Sequence, residues 1–488
     1  MHDPITIDPV TRLEGHGKIQ IFLDDAGEVS NAYLQVPELR GFEKFSQGRE
    51  AISMPEITSR ICGVCSPAHH LCATKALDAA FNTEPTTTAR KLRELLYNGY
   101  MVYDHILHFF YLGGPDFVVG PDADKSKRNI LGVIEKVGKE FALEVIKHRA
   151  YGQKIVEITG GKPISPVLGI PGGVNKALTE EEAGIIKSMG ESTLEFVLKT
   201  LDYFKRLVLE NEEYMNLVLS PHFHLETYDM GLVDDDNKFN YYEGKLRVTD
   251  PGGNEFVKFP VKDYLKHMAE KVVPWSYVKI PYLKEVGWKG YEAGKDSGII
   301  RVGPLARLNV CDGFTTPLAQ EHYENYFEAL GGKPVHKTLA FHWARLIELL
   351  HSAEMVIRLS EDPDVLGTDL RNPVKEPGEG IGVIEAARGT LIHHYKVGTD
   401  RLIEKANMIV ATTHNKMPIS LSIRDAAKGL IHNGEATDAA LNMVEMAFRA
   451  YDPCFACASH AIGGGAPVSI NVYDCNGMLV RKRENFLG

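Results

Sequence analysis

Two Cys-x-x-Cys pairs stand near opposite ends of this 488-residue chain, Cys62/Cys65 in "RICGVCSPAHH" and Cys454/Cys457 in "YDPCFACASH". A two-residue gap lets both sulfurs of a pair face one metal, and thiolates favour soft or borderline metals. If the pairs share a metal, both extremities of the chain must return to the middle of the fold. No other feature restricts the topology as much. Zinc ribbons usually set their pairs about 15–20 residues apart, so a local staple fits poorly. On spacing alone, a structural zinc site with four cysteine ligands stays as open as a catalytic centre. A thioredoxin-like redox pair fits less well, because two such pairs occur without a βαβ context.

The other cysteines, Cys72, Cys311 and Cys475, are scattered, bringing the count to seven. An odd, low count in a long chain does not describe a disulfide framework and points to a reducing compartment. Histidines flank both pairs: His69 follows Cys65 by four residues, and His460 follows Cys457 by three. An imidazole at His69 is placed to donate a hydrogen bond to a sulfur, the tuning that redox metals need. Taken alone, His69 is better read as an ordinary buried histidine.

Acidic residues outnumber basic ones by 65 to 54, a formal charge of −11, which argues against nucleic acid as the main partner. The N-terminus has no apolar signal segment, and no uncharged apolar run is long enough for a bilayer span. A soluble protein is expected. Alternation of apolar residues predicts a small antiparallel sheet over 5–36, with a turn at "DDAGE". Helical spacing predicts long helices over 89–112, 181–219, 338–360 and 437–449. A hairpin is expected around Asp250-Pro-Gly-Gly253, and 363–380 reads as a Pro/Gly loop. The fold class expected is mainly α with small β additions.

The cysteine stretches resemble the paired signature motifs of the large, catalytic subunit of nickel–iron hydrogenases. Three further segments are similar to family motifs: "DPVTRLEGHGK", "RGFEKFSQGRE" and "EAARGTLIHHY", the last with Ala387 where proline is usual. These matches run from residue 8 to 460. The resemblance implies a central long-helix bundle with peripheral antiparallel sheets. It also implies one interwoven domain over 1–460 and a C-terminal extension, 461–488, that is cleaved on maturation. An attached extension is expected to hold the C-terminal cysteines away from their final positions. "APVSINVYDCNGMLV" within it alternates like a hairpin with an Asn-Gly turn.

By motif position the resemblance implies nickel held by Cys62, Cys65, Cys454 and Cys457. Cys65 and Cys457 would be shared with an iron that carries carbon monoxide and cyanide. On the same resemblance Cys454 would take the first proton and Glu14 would relay it. Arg388 would lie above the iron, with Asp116 and Asp452 in the same pocket, and Thr412 would donate to a cyanide. Magnesium, or ferrous iron, would be held by Glu43, the Met408 carbonyl and His460. Read without the motif, Glu14 is a surface partner for Arg12 or Lys18, and Arg388 a helix-surface arginine. Asp116 and Asp452 are then caps or turn residues, Thr412 a filler, and Glu43 a solvated helix residue.

No residue set here can carry electrons far, so an iron–sulfur small subunit is required. The family further implies accessory electron-transfer subunits, nickel chaperones and a maturation endopeptidase. "VPELRGFEKF", "GPLARLN" and "TPLAQEHYENYFEALGG" are most similar to the cytoplasmic, bidirectional branch, whose acceptors are nicotinamide, deazaflavin or heterodisulfide reductase. The rival readings are a non-catalytic relative such as the respiratory complex I subunit, which generally lacks the paired cysteines, a hydrogen sensor, and a zinc-bound scaffold.

Overall fold

The computed structural model describes residues 5–7, 11–36, 39–458 and the paired strands 467–473 and 479–486. About half of the chain is helical, with small, mostly antiparallel sheets around it. Among the described residues six long helices dominate: α1 (Ser66–Ala80), α2 (Thr87–Leu107), α3 (Lys139–Gly160), α4 (Glu180–Phe204), α5 (Phe341–Ser360) and α6 (Lys416–Leu430). Helices α2–α5 pack on one another as a bundle, with α2 against both α3 and α5. One continuous apolar core runs from Ile7 in the first strand to Ala458 beside the last cysteine pair.

Local chemistry sets the helix ends. Thr86 accepts the Ala89 N–H at 3.1 Å to start α2, and a reciprocal Thr179/Glu182 capping box starts α4, each satisfying amides that a helix start leaves open. The helix expected over 89–112 widens after Leu107 into a π-turn, His108–Gly113. The helix expected over 181–219 is two. A π-turn, Lys205–Leu209, follows α4, and the Asn211 side chain then caps a separate helix, Glu212–Leu219. Helix α1 escapes a periodicity search because nearly every residue in it is buried, so no polar face marks it.

The predicted N-terminal sheet is a meander of Ile5–Ile7, Lys18–Leu23 and Val29–Gln35. The Asp24 carboxylate closes its second turn by accepting the Ala26 and Glu28 amides. The hairpin at Asp250 joins Lys245–Thr249 to Glu255–Pro260. The predicted 363–380 loop holds a short 3-10 turn, Pro363–Leu366, and gives way to a strand at Glu379. That strand begins a second meander, Glu379–Ala386, Gly389–Val397 and Ile403–Ile409. It lies on α1, where the Cys72 thiol donates to the Gly382 carbonyl at 3.3 Å. Pro467–Tyr473 pairs antiparallel with Leu479–Phe486; the predicted Asn-Gly turn between them lies outside the described residues. Among the described residues no helix is long and apolar enough to cross a membrane.

Helices α2 and α3 cross at backbone contact. A Cβ built on Gly152 would lie 2.7 Å from the Tyr103 nitrogen and 2.8 Å from the Gly99 oxygen. Helix propensity favours Gly152→Ala by about 1 kcal/mol, but the atoms it meets are backbone and cannot swing aside. We expect packing to win, with Gly152→Ala losing about 1–3 kcal/mol of stability in chemical denaturation; a gain would refute this close crossing.

Candidate metal centre

The four cysteines of the two motifs meet. Their sulfurs all lie within 4.8 Å of one another, and all four residues are buried. Cys65 and Cys457 are 3.2 Å apart, Cys62 and Cys454 3.5 Å, and Cys454 and Cys457 2.7 Å. These separations are well beyond the roughly 2.05 Å of a disulfide bond. They converge in a chain that still carries residues 461–488, so the extension does not hold Cys454 and Cys457 away as expected. Cys454 itself is fixed from the body of the protein, its amide on the Thr412 oxygen and its thiol on Glu14.

Each pair is seated by backbone. Cys65 caps α1, its carbonyl accepting the Ala68 amide at 3.1 Å, and the Tyr103 hydroxyl from α2 donates to the Val64 carbonyl at 2.8 Å. The second pair starts a one-turn helix, Phe455–Ala458, laid against the "RLEGHG" segment. There the Phe455 amide donates to the Glu14 carbonyl at 3.0 Å. The approach leaves no space for a side chain at Gly15, whose φ is +83° and whose Cβ would lie 2.9 Å from the Ala456 nitrogen. Arg40 ties the motifs together by donating to both the Ile61 and the Ala456 carbonyls.

Glu14 reaches the sulfurs. Its Oε2 accepts from the Cys454 thiol at 2.9 Å and from the Ala456 amide at 3.1 Å. The alternative surface pairing with Arg12 does not form, because Arg12 turns to Asp116 and the Leu112 carbonyl. Burial and then the charge of Cys62 push the Glu14 carboxyl above its ordinary value. Hydrogen bonds from Cys454, Cys457 and Cys65 bring Cys62 well below the usual thiol range. Burial drives Cys454 and Cys457 upward. Without a cation, four packed sulfurs sustain little negative charge; a metal is what lets all of them ionise.

Arg388 is not a helix-surface residue. It sits in the two-residue turn between Glu379–Ala386 and Gly389–Val397, and it is buried. Its Nη1 donates to Asp104 and its Nη2 to Asp452, each at 3.2 Å. Burial opposes its charge, but Asp104, Asp452 and the Cys454 and Cys65 sulfurs outweigh that and keep it protonated. Burial pushes the Asp452 carboxyl up to about 7. Asp116 is elsewhere: it bridges Arg12, at 2.5 Å, and Arg449, and these two cations outweigh burial and hold it below the usual range. The second acid on Arg388 is therefore Asp104, which the sequence reading missed. Its signal was a carboxylate amid the apolar residues Met101, Val102 and Ile106 of α2.

The Thr412 oxygen accepts the Cys454 amide at 3.0 Å. His69 pairs through its ring with His393 at 3.2 Å. Glu43 is buried, not solvated, and its Oε1 accepts the Met408 amide at 2.7 Å. His460 lies outside the described residues. Four sulfur donors in one buried pocket, with a carboxylate on one side and a guanidinium on the other, suit a thiolate-bound transition metal rather than an oxygen-loving cation.

The chain matches the family model described as nickel-dependent hydrogenase over residues 40–132 and 224–460, and a HoxL-like model over 4–39. It is therefore a member of the nickel-dependent hydrogenase family, in the position of the large, catalytic subunit, an oxidoreductase acting on hydrogen. Among its relatives, an F420-non-reducing hydrogenase iron–sulfur subunit of Archaeoglobus profundus is 47% identical over 99% of both chains. The NAD-reducing hydrogenase HoxS subunit beta of Cupriavidus necator is 39% identical over 99% of this chain and 100% of its own. A crystal structure of an NAD+-reducing NiFe hydrogenase in the H2-reduced state superposes with a TM-score of 0.88 at 39% identity, covering 94% of this chain and 100% of that one. The zinc-scaffold and non-catalytic readings are set aside.

Because Cys65 contacts Cys457 across the two motifs, Cys65→Ser should abolish stable metal loading. Nickel and iron content of the purified variant should fall to a small fraction of wild type by elemental analysis. Full occupancy would show that Cys65 is not a ligand.

Proposed function

We propose that Cys62 and Cys454 hold nickel terminally and that Cys65 and Cys457 bridge it to an iron bearing carbon monoxide and cyanide. When bound, such a centre supplies the heterolytic splitting of dihydrogen. The single observation that carries the rest is the 2.9 Å contact between Cys454 Sγ and Glu14 Oε2. The Cys454 sulfur takes the proton, and Glu14 receives it at an oxygen already within hydrogen-bond reach. Partial dehydration raises the affinity of Glu14 for that proton toward the working range. Arg388, kept cationic by Asp104 and Asp452, presents its guanidinium to the diatomic ligands of iron. Thr412, whose oxygen is engaged by the Cys454 amide, has its hydroxyl proton left to donate to a cyanide. His69, one turn into α1 from Cys65, tunes the bridging side.

Glu43 and Met408 meet at the end of the 403–409 strand, which supports a magnesium or ferrous site there completed by His460. Among the described residues, Cys454 is seated by Thr412 and Glu14, both in the body of the chain, which supports 1–460 as the mature domain and 461–488 as a segment removed on maturation. That step requires a maturation endopeptidase and nickel chaperones. A cytoplasmic enzyme follows from the reducing-compartment cysteine usage and the likeness to the bidirectional branch. The acceptor beyond the complex is nicotinamide, deazaflavin or heterodisulfide reductase.

Electrons leave through an iron–sulfur small subunit, then through accessory subunits, since this chain has no redox relay of its own. A groove of about 500 Å³ lined by Arg40, Phe42, Phe45, Glu56, Ile57 and Arg60 abuts the first cysteine loop. Phe45 is 53% exposed at its edge, and we assign the groove to the small subunit. Phe45→Glu should reduce co-purification of that subunit several-fold without lowering the melting temperature of the isolated chain. Undiminished co-purification would remove the groove from the interface.

Glu14→Gln should keep nickel and iron bound while slowing hydrogen–deuterium exchange on dihydrogen by roughly 10²-fold or more. Infrared bands of iron-bound carbon monoxide and cyanide in the same preparation would report an intact centre. Unchanged exchange would take Glu14 out of the path, and absent bands in metal-loaded wild type would defeat the whole reading.

A further inference from the structure

The turn that carries Arg388 is held in an unusual way. Two-residue hairpin loops normally adopt turns with positive φ at one or both central residues. Neither Ala387 nor Arg388 has positive φ, so the loop does not have the twist that closes such hairpins unaided. Its backbone groups are instead bonded from outside. Arg307 donates to the Ala386 carbonyl at 2.8 Å and to the Ala387 carbonyl at 3.2 Å. Asn415 reaches the Arg388 carbonyl at 3.5 Å. The Ala387 amide donates to the Tyr100 hydroxyl at 3.3 Å.

Tyr100 belongs to a file of three tyrosines, Tyr97, Tyr100 and Tyr103, on one side of α2. Their rings follow one another at 5.3 and 5.5 Å. Each hydroxyl holds a different backbone group near the metal centre. Tyr97 donates to the Glu385 carbonyl at 2.7 Å, and Tyr103 donates to the Val64 carbonyl inside the first cysteine pair. Asp104, on the same helix, takes the guanidinium that the turn delivers. One rigid helix therefore gauges the distance from the cysteine loop to the arginine.

We propose that Tyr100 is a positioning residue for Arg388: its hydroxyl oxygen, by accepting the Ala387 amide, fixes the turn that aims the guanidinium. It touches no reacting atom. The inference rests on the role given to Arg388 above. A buried amide left without its acceptor loosens the segment that bears it. Proline at 387 would remove that amide and fix φ, but its ring would point at an oxygen only 3.3 Å from the nitrogen. Removing the oxygen makes room for the ring. The two substitutions should therefore rescue one another.

The test compares Tyr100→Phe, Ala387→Pro and the double variant as purified complexes and as metal-free protein. In metal-free protein, amide exchange at Arg388 and Gly389 should quicken about tenfold in Tyr100→Phe, the scale of one lost buried hydrogen bond, and return toward wild type in the double variant. In loaded complexes of equal nickel content, turnover should fall several-fold in each single variant and recover to at least half of wild type in the double. A double variant no better than either single one, or exchange unchanged in Tyr100→Phe, overturns the proposal. Exchange that changes and recovers while turnover stays constant overturns the role of Arg388 instead.

Discussion

One backbone hydrogen bond, from the Phe455 amide to the Glu14 carbonyl, joins the first motif of the chain to the last. It makes the two extremities neighbours. Everything chemical in the molecule follows from that closure: the same approach that pairs their backbones brings Glu14 Oε2 onto the Cys454 sulfur. A long-range contact of this kind has a large ordering cost, and here it is offset by burying both segments in the common core. Gly15 is the residue that permits it, since any side chain there would strike the Ala456 nitrogen.

Around this closure, charges are arranged in alternating shells. The sulfurs are where a metal would gather negative charge, Arg388 lies beside them, and Asp104 and Asp452 hold Arg388. A second set, Arg12–Asp116–Arg449, lies one layer out and braces the two segments that bring Glu14 and Asp452 inward. Removing one partner from such a buried pair costs more than the pair contributes, because the other charge is left stranded at about 3–5 kcal/mol. The same pairing holds Arg93, Arg301, Arg307 and Arg449, each wholly buried against an acid. They are structural ties between segments distant in sequence, whereas Arg388 lies beside the metal pocket.

The cysteines were legible as metal ligands from their spacing and residue type, whereas Glu14 was legible only through the resemblance of its motif. Arg388 was legible by motif, but its setting was not: Ala-rich "EAARG" suits a helix by local propensity, and the flanking apolar strands override that preference. Asp104 carried only a weak signal, since a carboxylate among apolar neighbours looks the same whether its partner is near or far. Asp116 was drawn toward the site by its neighbourhood in sequence, yet a stretch of π-helix separates its direction from that of Asp104. Helix α1 was hidden by its own burial, which erases the polar face that periodicity needs.

The extension beyond the second cysteine pair illustrates how far local bonding decides site geometry. Cys454 is fixed by its amide on Thr412 and its thiol on Glu14, and Phe455 by its amide on the Glu14 carbonyl. None of these bonds uses a residue after Ala458. The strands 467–473 and 479–486 spend their own backbone groups on each other. Among the described residues, the bonds that seat Cys454 and Phe455 are complete within the body of the chain, so the sulfurs converge with the extension attached.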